Sequence, residues 1–225
     1  IDLTGGVPNV QSTTGAIVGN YRWGPAEKRT FIANETELVE RFGSPDSDNT
    51  IDFHSASFFL RYSSSLQLVR AVTSAAKNAI GPKALAAASA ITPSTIQNED
   101  VFETVQASQI NDANTFIGRY PGDLGNGLLV SRCLASATDS AFNDWEYSTE
   151  FDAKPETSTF MEGKNGQNDE IHVVVVDETG VFTGTKGTVL ERYPFLSIAK
   201  DAKNSAGSSI FVRDVINERS EYVYM

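Results

Sequence analysis

The 225-residue chain is long enough for one large domain or two small ones, with room for a substantial core. With 40% hydrophobic and 21% charged residues, it has the balance of an ordinary globular protein. Acidic residues number 29 against 18 basic, and a net charge of −11 argues against a surface that grips nucleic-acid phosphates or an anionic membrane.

Residues 1–14 are rich in Gly, Thr, Ser and Asn. Pro8 biases Val7 to extended conformations, so the stretch reads as an extended arm rather than a self-folding piece. Ile1-Asp-Leu-Thr lacks the basic and apolar regions of a signal peptide and any initiator Met, so the chain is expected to begin inside a longer polypeptide. No apolar run approaches the ~20 residues of a membrane-spanning helix.

Ala16 to Tyr21 fits a strand, Trp23-Gly24-Pro25-Ala26 a turn, and Arg29 to Ala33 a second strand. Asn34 is an N-cap with Glu37 closing a capping box; Leu38, Val39 and Phe42 follow at helical spacing, and Gly43 and Pro45 stop the helix. A second helix over about Ile51 to Tyr62 places Phe53, Ala56, Phe59 and Leu60 on one apolar face. Leu66 to Val72 then reads as a strand apolar on both faces, central in a sheet covered by helices. The order of elements implies an α/β or α+β fold, a mixed sheet with flanking helices.

Residues 74–114 are Ala-rich and broken by Gly81-Pro82 and Pro93, a variable connection or small insertion with no deep core. Thr115 to Tyr120 is a strand. Pro121, Gly122, Gly125 and Gly127 form a structural turn before the strand Leu128 to Ala135, in which Cys133 reads as a buried hydrophobe. A single cysteine excludes an internal disulfide and a Cys-rich zinc site. Ser136 to Gln167 reads as loop or ragged edge strand, and Glu170 to Val176 as the strongest strand. Val181-Phe-Thr183 returns as its hairpin partner, and Thr188 to Phe195 is a strand limited to an edge by Pro194. Ile210 to Met225 reads as a short helix or strand that stops without a terminating signal. The resulting grouping is an arm over 1–14, a core of 15–73 with 115–225, and the connection 74–114.

No catalytic constellation stands out. Asp123-Leu-Gly-Asn-Gly127 opens a strand rather than a helix and lacks Lys-Ser or Lys-Thr, so it is a turn and not a phosphate cradle. Asp169-Glu170 and Asp177-Glu178 bracket one strand some ~23 Å apart, too far to share a substrate atom, and read as solvated strand ends. His54 and His172 lack zinc-helix spacing and a serine elbow. No cofactor or metal ligand set emerges. Tyr21, Trp23 and Tyr120 belong to packing or contacts, since an acidic chain offers no funnel for nucleic acid.

Thr14-Gly-Ala-Ile-Val-Gly19 with Trp23-Gly-Pro25, the capped helix Asn34 to Gly43, Leu68-Val-Arg-Ala-Val72 and Tyr120-Pro-Gly-Asp-Leu-Gly-Asn-Gly127 together resemble contractile tail sheath proteins of bacteriophages. The resemblance covers 1–72 and 115–135 well and 170–195 more loosely. The family's Ser-Pro-Gly-type start is absent here, and a C-terminal sheath domain is expected beyond Met225. What the resemblance implies is a non-enzymatic subunit of stacked hexameric rings around a tail tube. The subunit would meet tube, baseplate and tail terminator proteins, be built in the host cytoplasm, and shorten to drive the tube through a cell envelope. Extended arms would add strands to neighbouring subunits, which for this chain points to Ile1, Leu3, Val7, Pro8 and Val10. No direct nucleic-acid contact and no membrane insertion follow from it. The alternative is a small-molecule-binding or hydrolytic α/β domain with His54 or His172 and carboxylates in a pocket; a phage-derived injection machine is a variant of the first reading.

Overall fold

The computed structural model describes residues 13–81, 95–109 and 115–225. Contacts gather the chain into two compact units, Ile1–Ala71 and Val72–Met225, whereas the sequence grouping joins 15–73 to 115–225. Among the described residues the protein is a mixed α/β fold of small three-stranded sheets with flanking helices.

In the first unit, β1 (Gly15–Gly19) pairs parallel with β3 (Leu66–Arg70), and β2 (Arg29–Ile32) pairs antiparallel with β3 from the other side. The Leu- and Val-rich β3 is central, as its sequence predicts. Helix α1 (Glu35–Phe42) starts where Asn34 Oδ1 accepts the Glu37 N–H at 2.9 Å. Glu37 Oε2 reaches back to the Ala33 N–H at 2.9 Å, one residue earlier than a reciprocal box requires. Leu38 and Phe42 enter the core, while Val39 stays exposed, contrary to its predicted inward face. Gly43 ends the helix at φ 80° with its N–H on the Val39 carbonyl. Helix α2 (Thr50–Leu60) buries Phe53 and Ala56, and its Ser57 hydroxyl donates to Glu35 Oε1 at 2.9 Å, joining the two helices.

The sequence places β3 in a sheet covered by helices, and among the described residues of this unit the helical cover lies on one face. Both helices lie in the β2–β3 connection and pack on the face carrying Ile32, Leu66 and Leu68. The opposite face presents Ala16, Val18, Phe31 and the half-buried Val69, with Val18 69% and Phe31 48% exposed.

In the second unit, β7 (Glu170–Asp177) lies between β6 (Leu128–Leu134) and β8 (Thr188–Ser197), all antiparallel. Every residue from Ile171 to Asp177 is buried, so this strand is covered twice. Ile171, Val173 and Val175 pack under α6 (Val212–Arg219). Val174 and Val176 pack under Tyr147 and Phe151, with Phe142 and Trp145 beside them. The second cover comes from 136–167, which the sequence reading leaves as loop: α4 (Asp139–Asn143) and α5 (Thr159–Glu162) are single short turns of helix whose aromatics have no period. Residues 181–183 form no hairpin partner, because the buried Asp177 carboxylate accepts the N–H groups of Gly180, Phe182 and Thr183, leaving them unavailable to a ladder. The partner is β8 instead.

A third small sheet orders β4 (Ile80–Gly81), β5 (Phe116–Gly118) and β9 (Val223–Tyr224). Helix α3 (Glu99–Gln109) lies nearby, and Phe102 stacks on Tyr224 with ring centroids 3.7 Å apart. Ile96, Phe102, Ile117 and Tyr224 make a small core to which two residues of 74–114 contribute, where the sequence implies no deep core.

Candidate assembly surface

The turn Trp23-Gly24-Pro25 is built around a buried cation. Arg70, at the end of β3, is 3% exposed; its Nε donates to Tyr21 O at 2.7 Å, and its two terminal nitrogens donate to Gly24 O at 3.0 Å and Arg22 O at 3.2 Å. Buried charge is tolerable only with such full hydrogen bonding. Gly24 has φ 92°, and a Cβ there would lie 2.4 Å from the Arg41 carbonyl oxygen, which excludes a side chain on both counts. Trp23 is 3% exposed, and its main-chain N–H donates to the Phe42 carbonyl. Tyr21 is buried beside it, and burial first, then Asp52, pushes its hydroxyl well above the ordinary tyrosine value. The aromatic corner therefore faces inward as packing.

What unit Ile1–Ala71 presents outward is apolar in two places. The first is the open sheet face. Its neighbour is a strand edge that no described residue pairs: Gly15 donates to Ser65 O and Gly19 accepts from Ala71 N, so in this parallel ladder the main-chain groups of Ala16 and Val18 point away from β3. Among the described residues β1 is an edge strand, with no Pro, Lys or bulge to blunt it. The second is the outer side of α2. Ile51 is 81%, Phe58 53% and Tyr62 90% exposed, spaced seven and four residues apart. Helices apolar all round are normally buried all round. Phe58 stacks on the exposed His54, and Arg61 lies over its ring at 5.0 Å. Sequence reasoning assigned α2 a single apolar face and missed this one, although Ile51, Phe58 and Tyr62 were the signal.

The remaining predicted residues fall into place individually. Ile1, Leu3, Val7, Pro8 and Val10 lie outside the described residues. Pro121 is buried, Gly122 adopts φ 125°, and Gly125 and Gly127 are buried in a 3₁₀ turn over Asp123–Gly127 that leads into β6. A Cβ on Gly127 would sit 2.4 Å from Thr179 Oγ1, so the turn packs directly on the loop after β7. Cys133 is buried, and burial raises its thiol.

The carboxylates read as solvated strand ends are corrected: Asp169 is 2% and Asp177 0% exposed. Asp169 accepts the Ser158 N–H and hydroxyl, both at 2.8 Å, and the Ser197 hydroxyl. Burial pushes its carboxyl up, but the hydrogen bonds from Ser197 and Ser158 outweigh this and hold it below the usual range. Both aspartates tie loops to the ends of β7. His172 is fully buried, with each ring nitrogen on a backbone group. A groove of about 610 Å³ runs beside β8, between Tyr193–Leu196 and Ile210 with Tyr222; His172 does not line it. Its carboxylate Glu191 is engaged by the Glu221 N–H, the Ser220 hydroxyl and the Tyr193 hydroxyl. Among the described residues no cluster of His, Cys, Asp and Glu could hold a metal ion, and no helix is long and apolar enough to cross a membrane.

Comparison with known proteins gives a consistent set of relatives. The chain is 36% identical over 179 residues to a tail sheath protein of Salmonella phage ViI, covering 78% of this chain and 24% of the relative. Tail sheath proteins of Enterobacteria phage T4 and Vibrio phage KVP40 are 41% and 36% identical over 66 and 70 residues, covering 29% and 31% of this chain. The chain thus spans about a quarter of the first relative's length, and the alignments to the other two cover 10% of each. No protein-family model matches. A solved sheath tail protein of Listeria innocua aligns over 93% of this chain and 29% of its own at 9% identity, with a TM-score of 0.42, a likeness too slight to carry weight.

Proposed function

From its sequence kinship with phage tail sheath proteins over most of its length, we propose that this chain is part of a structural tail sheath subunit of a virion. The observation that carries this reading is the 36% identity over 179 residues to one sheath protein, joined by shorter matches to two others. In this proposal the subunits stack as hexameric rings around a tail tube, between baseplate and terminator proteins. Assembly takes place in the host cytoplasm, and contraction drives the tube through the envelope. Residues 15–73 and 115–225 together form the sheath core, 74–114 is an insertion, and 1–14 is an arm that links to a neighbour by strand addition.

The surfaces of the first unit support this reading. A polymer built from repeated contacts that do not close needs subunit surfaces left unpartnered in one copy. The open face and edge around Val18 and the outer side of α2 are surfaces of that kind. The protein's chemistry points the same way, since its buried His and Asp side chains are engaged by backbone and hydroxyl groups of the fold itself.

The test is electron microscopy of the purified full-length subunit carrying this chain. Tubes or stacked rings are expected, and a persistently monomeric protein under all assembly conditions would sink the reading. Removal of residues 1–14 is expected to leave a folded subunit that no longer polymerises; normal tubes from that deletion would remove the arm from the mechanism.

A further inference from the structure

Strand β8 does not run straight. Its register against β7 shifts between the partners of Ile171 and Val173, so that His172 faces a corner made by Pro194 and Phe195. Pro194 has no N–H for a ladder, and Phe195 takes φ 50°, a conformation that side-chain-bearing residues adopt rarely. Something must hold Phe195 there. Its N–H donates to His172 Nδ1 at 3.0 Å, so an imidazole nitrogen stands where a strand carbonyl would be.

The other ring nitrogen decides the tautomer. Nε2 lies 2.8 Å from the Ala153 carbonyl oxygen, which can only accept, so Nε2 carries the proton and Nδ1 is bare. The ring is fully buried, parallel to Phe151 at 4.1 Å and edge-on to Phe195 at 4.6 Å. Only the neutral Nε2–H form satisfies both edges. A second proton would set N–H against the Phe195 N–H in a site with no room for water between them.

We propose that the neutral Nε2–H form of His172 latches the Pro194–Phe195 corner of β8, and that proton uptake at Nδ1 releases the corner and reshapes the groove it walls. The groove consequence is direct, because Tyr193, Pro194, Phe195 and Leu196 form one of its sides.

Two attractions favour release: the stacked Phe151 face favours a cation, and the Ala153 carbonyl favours a protonated ring. Burial outweighs them and keeps the imidazole below its ordinary range. Titratable and charged groups on the elements packed around the ring are the Cys133 thiol, its register partner on β6, and Asp152 with Lys154 on the connection below. Asp139 on α4 is paired to Lys154 at 2.8 Å, and Glu191 and Arg192 lie further along β8. Glu191 is held by Ser220 and Glu221, and Arg192 by Glu150. Lys154 is therefore paired with Asp139, and the latch follows the imidazole itself. Because the bound proton is disfavoured only in the folded state, the latch is intact above the unfolded value of about 6.5 and is lost as pH falls through the lower folded value.

The test follows the His172 ring and the Phe195 amide by NMR from about pH 7.5 to about pH 4.5. The ring is expected to titrate below free histidine. Hydrogen-exchange protection at Phe195 should fall about tenfold in step with it, while core amides of β7 stay protected. A ring that titrates at or above the free value overturns the proposal. So does a Phe195 amide unchanged across the ring's titration, or one released only with the whole sheet. His172→Phe keeps the stacked ring and removes the acceptor. It is expected to leave Phe195 weakly protected at every pH with no step, and a persisting step would place the latch elsewhere.

Discussion

At the scale of single residues, this protein places ionisable groups inside and gives each one a structural partner. Arg70 is the clearest case, since three main-chain carbonyls of the Tyr21–Gly24 corner converge on it. Arg70→Met removes all three bonds and leaves the acceptors buried. The first unit is expected to lose about 3 kcal/mol, read as a shift of the chemical denaturation midpoint at unchanged slope. Gly24→Ala should cost more than about 1 kcal/mol in the same assay, through its positive φ and the nearby Arg41 carbonyl. Asp169 gives a pH signature. Its folded carboxyl is held below the ordinary value, so its contribution is full above the unfolded value of about 3.9 and disappears as pH falls through the folded one. Asp169→Asn should therefore lower thermal stability at neutral pH and flatten the acid limb of the stability profile; an unchanged limb would mean other carboxylates govern it.

At the scale of elements, side chains here replace backbone in closing strands. The loop after β7 folds around Asp177, which takes three N–H groups and the Thr183 hydroxyl. Asp177→Ala should cost about 2–4 kcal/mol, and it should open the segment 178–187 to limited proteolysis while β7 and β8 stay paired. This explains why a hairpin is expected at Val181 and is absent: apolar spacing says nothing about a carboxylate three to six residues earlier that captures the donors. Helix α1, by contrast, was legible almost in full, because Asn34, Leu38, Phe42 and Gly43 act within one helix. The cover over Val174 and Val176 was not, because Phe142, Trp145, Tyr147 and Phe151 converge only after the chain has turned several times.

At the scale of the whole molecule, the first unit carries apolar surface that folding alone does not explain. Ile51 and Tyr62 make so little contact in one copy that Ile51→Ser with Tyr62→Ser should change the stability of the isolated chain by no more than about 0.5 kcal/mol per site. In the full-length subunit the same pair is expected to impair assembly, measured as the fraction of protein in sedimenting polymer. Wild-type sedimentation would show that the α2 face lies outside the sheath contacts. The acidic chain adds a condition to that assay: self-repulsion at net charge −11 should ease with added salt, so polymer yield is expected to rise from low to moderate ionic strength.

Taken alone, the sequence determined what depends on near neighbours: the capped helix α1, the central position of β3, the strength of β7, the edge placement of β8 by Pro194 and the burial of Cys133. The order of its motifs also pointed to sheath proteins, a kinship then found with three phage relatives. Only the tertiary structure decided which side of a segment met a partner. It turned Asp169 and Asp177 from strand-end charges into buried anchors, made His172 an acceptor for a backbone N–H, and, among the described residues, left one sheet face and one helix face of the first unit exposed. The reason is physical. Capping and periodicity are settled within a few residues, whereas burial of a polar group depends on partners 10 to 30 positions away, such as Ser158 and Ser197 for Asp169.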